Sequence, residues 1–139
     1  MPRVDDIESI KQLKARYFRV MDTKDWDAMR AVFADDVVMD TTESGGGVLR
    51  GGDACIAFLR ETIGDVVTVH HGHTPEIEPT SATTATGVWA MEDMLRWPNG
   101  SELHGYGHYH ETYEKVAGTW RIKTLRLTRL RMDFTAPEG

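Results

Sequence analysis

Three stretches in the first half of the chain carry apolar residues at the spacing of helical turns. The first spans residues 6–21, the second follows a break at Thr23–Asp25, and the third begins after Gly51. The apolar positions in each recur about every 3.6 residues, as on the buried face of an amphipathic helix. They are Ile7, Ile10, Leu13, Tyr17, Val20 and Met21, then Trp26, Met29, Val32 and Phe33, then Ile56, Leu59 and Ile63. The pattern predicts three helices, with Thr23–Asp25 able to cap the second and Asp53 the third.

From Asp65 onward the apolar residues alternate with polar ones instead. This period of two predicts four long strands, at about 65–78, 82–97, 102–116 and 119–134, joined by turns rich in Pro, Gly, Asn and Ser. Earlier in the chain, the sequence predicts a strand beginning at 37–39 and a loop at 45–47. Helices followed by antiparallel strands are typical of an α+β domain. We predict one domain, residues 1–139, whose helices cover a curved, mostly antiparallel sheet and form a cone around an apolar cavity.

Composition narrows the classes of partner. The chain has 139 residues, 40% of them hydrophobic and 27% charged, with a formal net charge of −6. This acidity disfavours nucleic acids and anionic membranes as partners. Cys55 is the single cysteine, so no internal disulfide is expected. No apolar run is long enough for a signal peptide or a membrane span, so we expect a cytoplasmic protein.

Three histidines stand close together after the β-branched run Val66–Val69. His70, His71 and His73 surround Gly72, and imidazoles change protonation near neutral pH. His71 and His73, like the pair His108 and His110 next to Glu111, have the spacing of two side chains on one strand face, which can bind zinc or iron. Because no ligand spacing here is diagnostic, a metal-dependent enzyme is a minor alternative, and we predict no metal and no cofactor.

Four polar residues interrupt otherwise apolar patterns. Asp93 shares a predicted strand face with Trp89 and Met91, so it lies at a pocket mouth, is buried with a partner, or is a surface acid beyond a bulge. Arg129 shares a face with leucines, but the opposite face (Trp120, Ile122, Leu130, Met132) is also apolar, so alternation does not decide which face meets the cavity. Tyr17 continues the buried stripe of the first helix. Asp22 follows at the helix end, where a turn or capping role is the simpler interpretation.

Several segments resemble the SnoaL-like proteins of the NTF2-like (cystatin-like) superfamily, and in particular the bile acid 7α-dehydratase branch. The similar segments are Ile10–Asp22 followed by Trp26, His70–Ile77, Thr83–Asp93, and Gly118–Trp120 with Arg129. The resemblance implies a cone fold whose cavity is lined by a tyrosine and an aspartate of the first helix, a histidine, a second aspartate and an arginine. These positions correspond to Tyr17, Asp22, His70, Asp93 and Arg129. His71 and His73 would then lie behind the site or at its rim.

The resemblance also implies a reaction. We expect a cofactor-independent lyase that eliminates water from a steroid-like or other polycyclic or aromatic ketone, with His70 as the base and either Asp22 or Asp93 orienting it. Tyr17 would hold the developing oxyanion, while Arg129 would bind an acidic substrate group or orient Asp93. Further residues expected at the substrate are Met21, His73, Trp89, Met91 and Tyr109.

Alternatives remain open at this point. The same Asp–His pair would serve a ketosteroid-type isomerase or a dehydrohalogenase, and the cavity would also suit a non-catalytic small-molecule-binding module. The 97–102 turn is shorter than in the bile acid enzymes, and the chain ends soon after Phe134, so the substrate is expected to differ from theirs. By resemblance, the expected partners are a small hydrophobic substrate and a second or third copy of the chain, giving a homodimer or homotrimer.

Overall fold

The computed structural model describes residues 2–137 and contains three helices and six strands. The elements are α1 (Pro2–Asp22), α2 (Trp26–Val32), β1 (Phe33–Asp40), a 3₁₀ turn (Thr42–Ser44), β2 (Val48–Arg50), α3 (Gly52–Ile63), β3 (Val67–Pro79), β4 (Thr84–Arg96), β5 (Glu102–Val116) and β6 (Thr119–Thr135). The three predicted helices and four long strands are confirmed within a few residues. The short β2 was not predicted.

The six strands form one curved sheet in the order β2-β1-β6-β5-β4-β3. All neighbouring strands are antiparallel except β1 and β6, which pair in parallel. The helices cover the concave face, and their apolar sides join the inward-facing residues of the sheet in one core. This architecture is the cone of the NTF2-like fold and confirms the predicted fold class. No helix in the described part of the chain is long and apolar enough to cross a membrane.

The N-termini of the second and third helices are built differently. The Asp25 carboxylate caps α2 by accepting a hydrogen bond from the Ala28 amide (3.3 Å). The prediction that Asp53 caps α3 is wrong, because Gly51 holds the cap position with a φ of 95°. Asp53 lies in the first turn, where its negative charge interacts favourably with the positive end of the helix dipole. Its carboxylate also accepts a hydrogen bond from Arg30 Nε (2.9 Å).

Two irregularities in β6 decide which of its side chains face the cavity. The pairing with β5 shifts between Ile122 and Thr124, and again between Arg129 and Arg131. Each shift adds one residue to β6 and changes the phase of its alternation. As a result one strand contributes three successive inward-facing groups, namely Trp120 and Ile122, then Leu125, Leu127 and Arg129, then Met132 and Phe134. Leu130, at the second shift, is 76% exposed.

Candidate active site

His70 of β3 is held by Asp22 at the C-terminal end of α1. The Asp22 carboxylate accepts hydrogen bonds from the His70 amide (2.8 Å) and from Nδ1 of the imidazole (2.7 Å). It also accepts one from the Thr68 hydroxyl (2.9 Å), which in turn accepts one from Lys24 Nζ (2.7 Å). Because an ionised carboxylate only accepts, Nδ1 carries a proton, and in the neutral imidazole Nε2 is then the nitrogen that keeps its lone pair.

The electrostatics of this pair favour an ionised Asp22. Partial burial opposes ionisation, but the hydrogen bonds from His70 and Thr68 outweigh it and hold the pKa of the Asp22 carboxyl below its ordinary value. His70 Nε2 points the other way, 3.9 Å from Asp93 Oδ2. The ring therefore has a fixed carboxylate behind it and a free nitrogen on the cavity side.

Asp93 of β4 and Arg129 of β6 form a buried ion pair in the cavity wall. Their side chains are 3% and 7% exposed, and both Nη atoms donate to the carboxylate, at 2.7 and 3.0 Å. Arg129 Nε donates to the Ser44 hydroxyl in the 3₁₀ turn (2.9 Å). A glycine at 105 makes room for the pair, since a Cβ there would clash with Arg129 Nη1 and Asp93 Oδ1. All three guanidinium nitrogens are thus engaged by the protein.

Two phenols occupy the inner end of the cavity. Tyr17 of α1 and Tyr109 of β5 are buried, with ring centroids 5.8 Å apart in an edge-on arrangement. Burial raises the pKa of both hydroxyls well above the ordinary tyrosine value; neighbouring groups, Glu111 among them, add to the rise. Both phenols therefore remain protonated and able to donate hydrogen bonds across the physiological range.

The cavity that joins these side chains has a volume of about 330 Å³. Its polar wall contains Tyr17, His70, Asp93, Tyr109 and Arg129, and the rest is mainly apolar: Met21, Met39, Phe58, Leu59, Ile63, Leu95, Trp97, Leu103, Leu125, Leu127, Met132 and Phe134. Residues of the loop after β1 (Thr41, Ser44, Gly45, Gly46) also line it. A larger depression of about 610 Å³ near the sheet edge includes none of the five predicted catalytic side chains.

The structure brings the five predicted catalytic side chains together but only two of the five predicted pocket residues. Met21 and Tyr109 line the cavity. Trp89 is in the core, where its indole donates to the Tyr113 hydroxyl (2.9 Å), and Met91 lies beneath Arg129, with Sδ 3.8 Å from Nη1. Their strand face was predicted correctly, but they are covered by other side chains.

His73 is the third correction to the predicted pocket. Since His70 faces inward, alternation along β3 turns His71 and His73 to the outer face. The His73 side chain is 52% exposed, with Nε2 3.4 Å from a carboxylate oxygen of Glu92. His108 and His110 are also on the outer face, whereas Glu111 points into the core. Within residues 2–137, no three His, Cys, Asp or Glu side chains are arranged to hold a metal ion.

Sequence comparison assigns the chain to a family. The profile of the SnoaL-like domain matches residues 2–126. This chain belongs to the SnoaL-like domain family. A protein assigned as a cyclase, FGR4, from Gibberella zeae is 26% identical to it over an alignment of 133 positions. The match covers 87% of this chain and 89% of the relative. The matches do not single out the bile acid 7α-dehydratase branch.

Solved structures share the fold of this SnoaL-like domain at low sequence identity. A protein from Novosphingobium aromaticivorans assigned as a scytalone dehydratase superposes with a TM-score of 0.88 at 22% identity, covering 99% of this chain and 93% of that one. The hexachlorocyclohexane dehydrochlorinase LinA-type3 from Novosphingobium barchaimii superposes with a TM-score of 0.85 at 17% identity, covering 97% and 93%. At these identities the likeness shows a common fold.

One buried charged group of this SnoaL-like domain, Lys14, was not among the predicted site residues. Lys14 is completely buried behind the two cavity tyrosines and forms an ion pair with Glu111 (2.5 Å). A signal was present, because Lys14 stands four residues after Ile10 and three before Tyr17, on the apolar face of α1. A lysine at such a position is rarely buried without a partner, so the pattern predicts a buried ion pair there.

Proposed function

We propose that this SnoaL-like protein is a cofactor-independent lyase that removes water from a β-hydroxy ketone with a polycyclic or aromatic skeleton. The observation that carries the proposal is the fixed orientation of His70. Its Nδ1 is bound to Asp22 at 2.7 Å, and its side chain lines a cavity whose inner end holds two protonated phenols. A neutral imidazole held in one tautomer is suited to general-base catalysis at neutral pH.

The reaction begins with removal of a proton from the carbon next to the carbonyl group. His70 Nε2 takes this proton, and the electron pair of the C–H bond moves toward the carbonyl oxygen. Tyr17 and Tyr109 donate hydrogen bonds to the enolate oxygen, while Asp22 stabilises the imidazolium. The enolate electrons then form the carbon–carbon double bond as the β carbon–oxygen bond breaks. The imidazolium returns its proton to the departing oxygen, so the products are an enone and water and His70 is neutral again.

The Asp93–Arg129 pair favours an uncharged substrate. Because Nε donates to Ser44 and both Nη atoms donate to Asp93, no edge of the guanidinium keeps two free N–H groups for a bidentate bond to a substrate carboxylate. Arg129 instead keeps the Asp93 carboxylate oriented 3.9 Å from His70 Nε2. A negative group at that distance stabilises the imidazolium that forms during the reaction. Of the two roles expected for Arg129, orienting Asp93 is the one this geometry supports.

The size of the cavity bears on the substrate class. A volume of about 330 Å³ is near the lower end of the usual range for ligand pockets, about 300–1,000 Å³. The volume suits a bicyclic or tricyclic ketone held entirely within the cone. A bile-acid-like steroid, which the resembling segments favour, would extend through the mouth past Trp97 and Phe134.

Similarities to other proteins support an elimination. One similar solved structure is a dehydrochlorinase and another is assigned as a dehydratase. Both names describe removal of a small molecule from neighbouring carbon atoms. A dehydrohalogenase using the same Asp22–His70 pair is therefore the second candidate. A ketosteroid-type isomerase would also use the base, but it would return the proton to carbon.

The test uses 3-hydroxy-1-tetralone, whose dehydration gives the fluorescent product 1-naphthol. We expect turnover by the wild type and loss of at least a hundredfold in His70→Ala. His71→Ala, on the same strand but on the outer face, is the matched control and should retain full activity. Deuterium incorporation at C2 of unsubstituted 1-tetralone in D₂O reports proton abstraction without any leaving group.

The outcomes separate the candidates. Exchange into 1-tetralone without 1-naphthol formation would favour the isomerase, and turnover of 3-chloro-1-tetralone alone would favour the dehydrohalogenase. Binding of the ketones with neither exchange nor turnover would indicate a non-catalytic binding module. Full activity of His70→Ala would contradict the assignment of the base.

A further inference from the structure

A completely buried lysine lies behind the inner end of the cavity. The Lys14 side chain of α1 has no exposed surface, and its Nζ donates to Glu111 Oε2 of β5 at 2.5 Å. The other Glu111 oxygen accepts from the Tyr113 hydroxyl (2.6 Å), which accepts from the Trp89 indole (2.9 Å). Every polar atom of this chain of side chains is therefore paired. The proposed reaction does not use any of them directly.

The ammonium group of Lys14 contacts both cavity tyrosines. Nζ lies 3.6 Å from the ring centroid of Tyr17 and 3.6 Å from that of Tyr109. Both distances are well inside the roughly 6 Å limit for cation–π contacts, which strengthen when the cation is desolvated. One buried cation is thus shared by the two phenols that line the inner end of the cavity.

The contact has a chemical consequence for the hydroxyl groups. A positive charge at the face of a phenol withdraws electron density from the ring and makes its O–H a stronger hydrogen-bond donor. In a site that excludes water this effect is screened little. Glu111 keeps Lys14 protonated, because an unpaired lysine at this depth would lose its proton. Burial lowers the pKa of Lys14 to about 8 although Glu111 opposes the shift, so the ammonium form still predominates at neutral pH.

Packing alone does not account for such a pair. A buried ion pair is often no more stabilising than apolar side chains of similar volume, because both charges lose their hydration. The charge is therefore better explained by what it faces than by the stability it adds.

We propose that Lys14 is a positioning residue that strengthens Tyr17 and Tyr109 as hydrogen-bond donors to the substrate oxygen, so that the inner end of the cavity is an oxyanion site polarised from behind by a buried cation. The inference rests on the proposed function, since it concerns the oxygen that becomes negative during proton abstraction. It predicts that the site prefers ligands whose oxygen gains charge at this position.

The first test removes both charges together. Replacing Lys14 alone would leave Glu111 unpaired in the core, so the informative variant is Lys14→Met/Glu111→Gln, in which the introduced side-chain amide can still accept from Tyr113. We expect kcat for 1-naphthol formation to fall roughly ten- to thirtyfold, with KM for 3-hydroxy-1-tetralone changed less than twofold. A structural role would not produce this split between kcat and KM.

The matched control is Lys115→Met/Asp6→Asn. This pair also joins α1 to β5 (3.3 Å), but its residues do not line the cavity. The control should retain kcat. Unchanged kcat in the Lys14 double variant, or an equal loss in the control, would overturn the proposal.

The second test does not depend on turnover or on the folding of that variant. The four tyrosines are replaced by 3-fluorotyrosine, and Tyr17→Phe and Tyr109→Phe assign their ¹⁹F resonances. We expect both resonances in the wild type to move with one shared midpoint near pH 8, as Lys14 loses its proton. In Glu111→Gln the midpoint should shift to lower pH, because the ammonium loses its counter-charge.

The groups around Lys14 do not titrate near pH 8, so a midpoint there can be assigned to Lys14. Glu111 is the only carboxylate in contact with Nζ among the described residues, and Tyr17, Tyr109 and Tyr113 titrate far above pH 8. Two tyrosine resonances that do not move between pH 7 and about 11, a range that includes the ordinary lysine pKa of 10.5, or a midpoint unaffected by Glu111→Gln, would overturn the inference. The proposed function fails separately, if His70→Ala retains activity, and the ¹⁹F titration is unaffected by that result.

Discussion

The Asp22 side chain fixes both the position and the tautomer of His70. Its carboxylate accepts three hydrogen bonds, one from a backbone amide, one from an imidazole and one from a hydroxyl. The amide bond fixes β3 to the end of α1, and the imidazole bond fixes the tautomer of His70. Position and protonation of the proposed base therefore depend on the same group.

At the residue scale the prediction concerns Asp22→Asn. An amide side chain is neutral and can present its NH₂ group to Nδ1, so the imidazole loses the partner that selects its tautomer. We expect kcat for 3-hydroxy-1-tetralone to fall roughly a hundredfold or more, while circular dichroism remains that of the wild type. Asp65→Asn, at an exposed position before β3, is the control. Wild-type kcat in Asp22→Asn would show that the carboxylate is not needed for base catalysis.

At the scale of elements, the 3₁₀ turn after β1 connects the cavity mouth to the ion pair in its wall. Ser44 accepts a hydrogen bond from Arg129 Nε (2.9 Å), and Glu43 accepts one from the Arg129 amide (3.0 Å). The next two residues, Gly45 and Gly46, line the cavity. Both of these hydrogen bonds from β6 to the turn are thus donated by one residue, Arg129.

Removing that contact should loosen the mouth without disturbing the base. In Ser44→Ala we expect KM to rise roughly three- to tenfold, which corresponds to the net value of one ordinary hydrogen bond, about 0.5–1.5 kcal/mol. The expected change in kcat is less than twofold, as measured by steady-state 1-naphthol formation. Ser81→Ala removes a comparable hydrogen bond from the exposed β3–β4 turn and should leave both constants unchanged. A loss confined to kcat would mean that the turn acts on Asp93 and not on substrate entry.

The strands also show where sequence patterns were sufficient and where they were not. The boundaries of β5 and β6 follow from alternation and from turn residues. Alternation does not predict which side chains of β6 face the cavity, because two register shifts change its phase and no glycine or proline stands in β6 at either shift. Gly107 lies opposite the second shift, but on the partner strand β5. Trp120 and Arg129 therefore both face the interior, although simple alternation puts them on opposite sides. His73 was misplaced for a different reason. The resemblance put His71 and His73 behind the site or at its rim, but β3 alternates regularly from His70 to His73 and turns both side chains to the outer face.

At the scale of the whole molecule, the cone contains two buried ion pairs that lie in different places. Near the middle, Asp93 and Arg129 lie in the cavity wall, where substrate can meet them. At the inner end, Lys14 and Glu111 lie behind the wall and are sealed from solvent. The resemblance identified the wall residues because they belong to a recognisable pattern. The pattern of α1 places Lys14 on the apolar face, but its pairing with Glu111 depends on how α1 packs against β5, which local patterns along the chain do not reveal.

The sealed pair should also shape the pH dependence of unfolding. The pKa of Lys14 is lowered from 10.5 to about 8 in the folded protein, so the folded state binds fewer protons than the unfolded chain between these values. Stability contributed by this group must therefore rise with pH across that interval. Between pH 7.5 and 9.5 we expect the wild type to gain about 1–2 kcal/mol in unfolding free energy relative to Lys14→Met/Glu111→Gln.

Urea denaturation of both proteins across this range measures the difference. Higher pH is avoided, because the buried tyrosines have raised pKa values and the folded state then binds more protons than the unfolded chain, which lowers stability as pH rises. Groups common to both proteins cancel in the comparison, so the slope isolates the Lys14 pair. Parallel curves for the two proteins would mean that the lysine keeps its ordinary pKa in the fold. The cation behind the tyrosines would then stay charged far above neutral pH, and the expected ¹⁹F midpoint near pH 8 would be wrong as well.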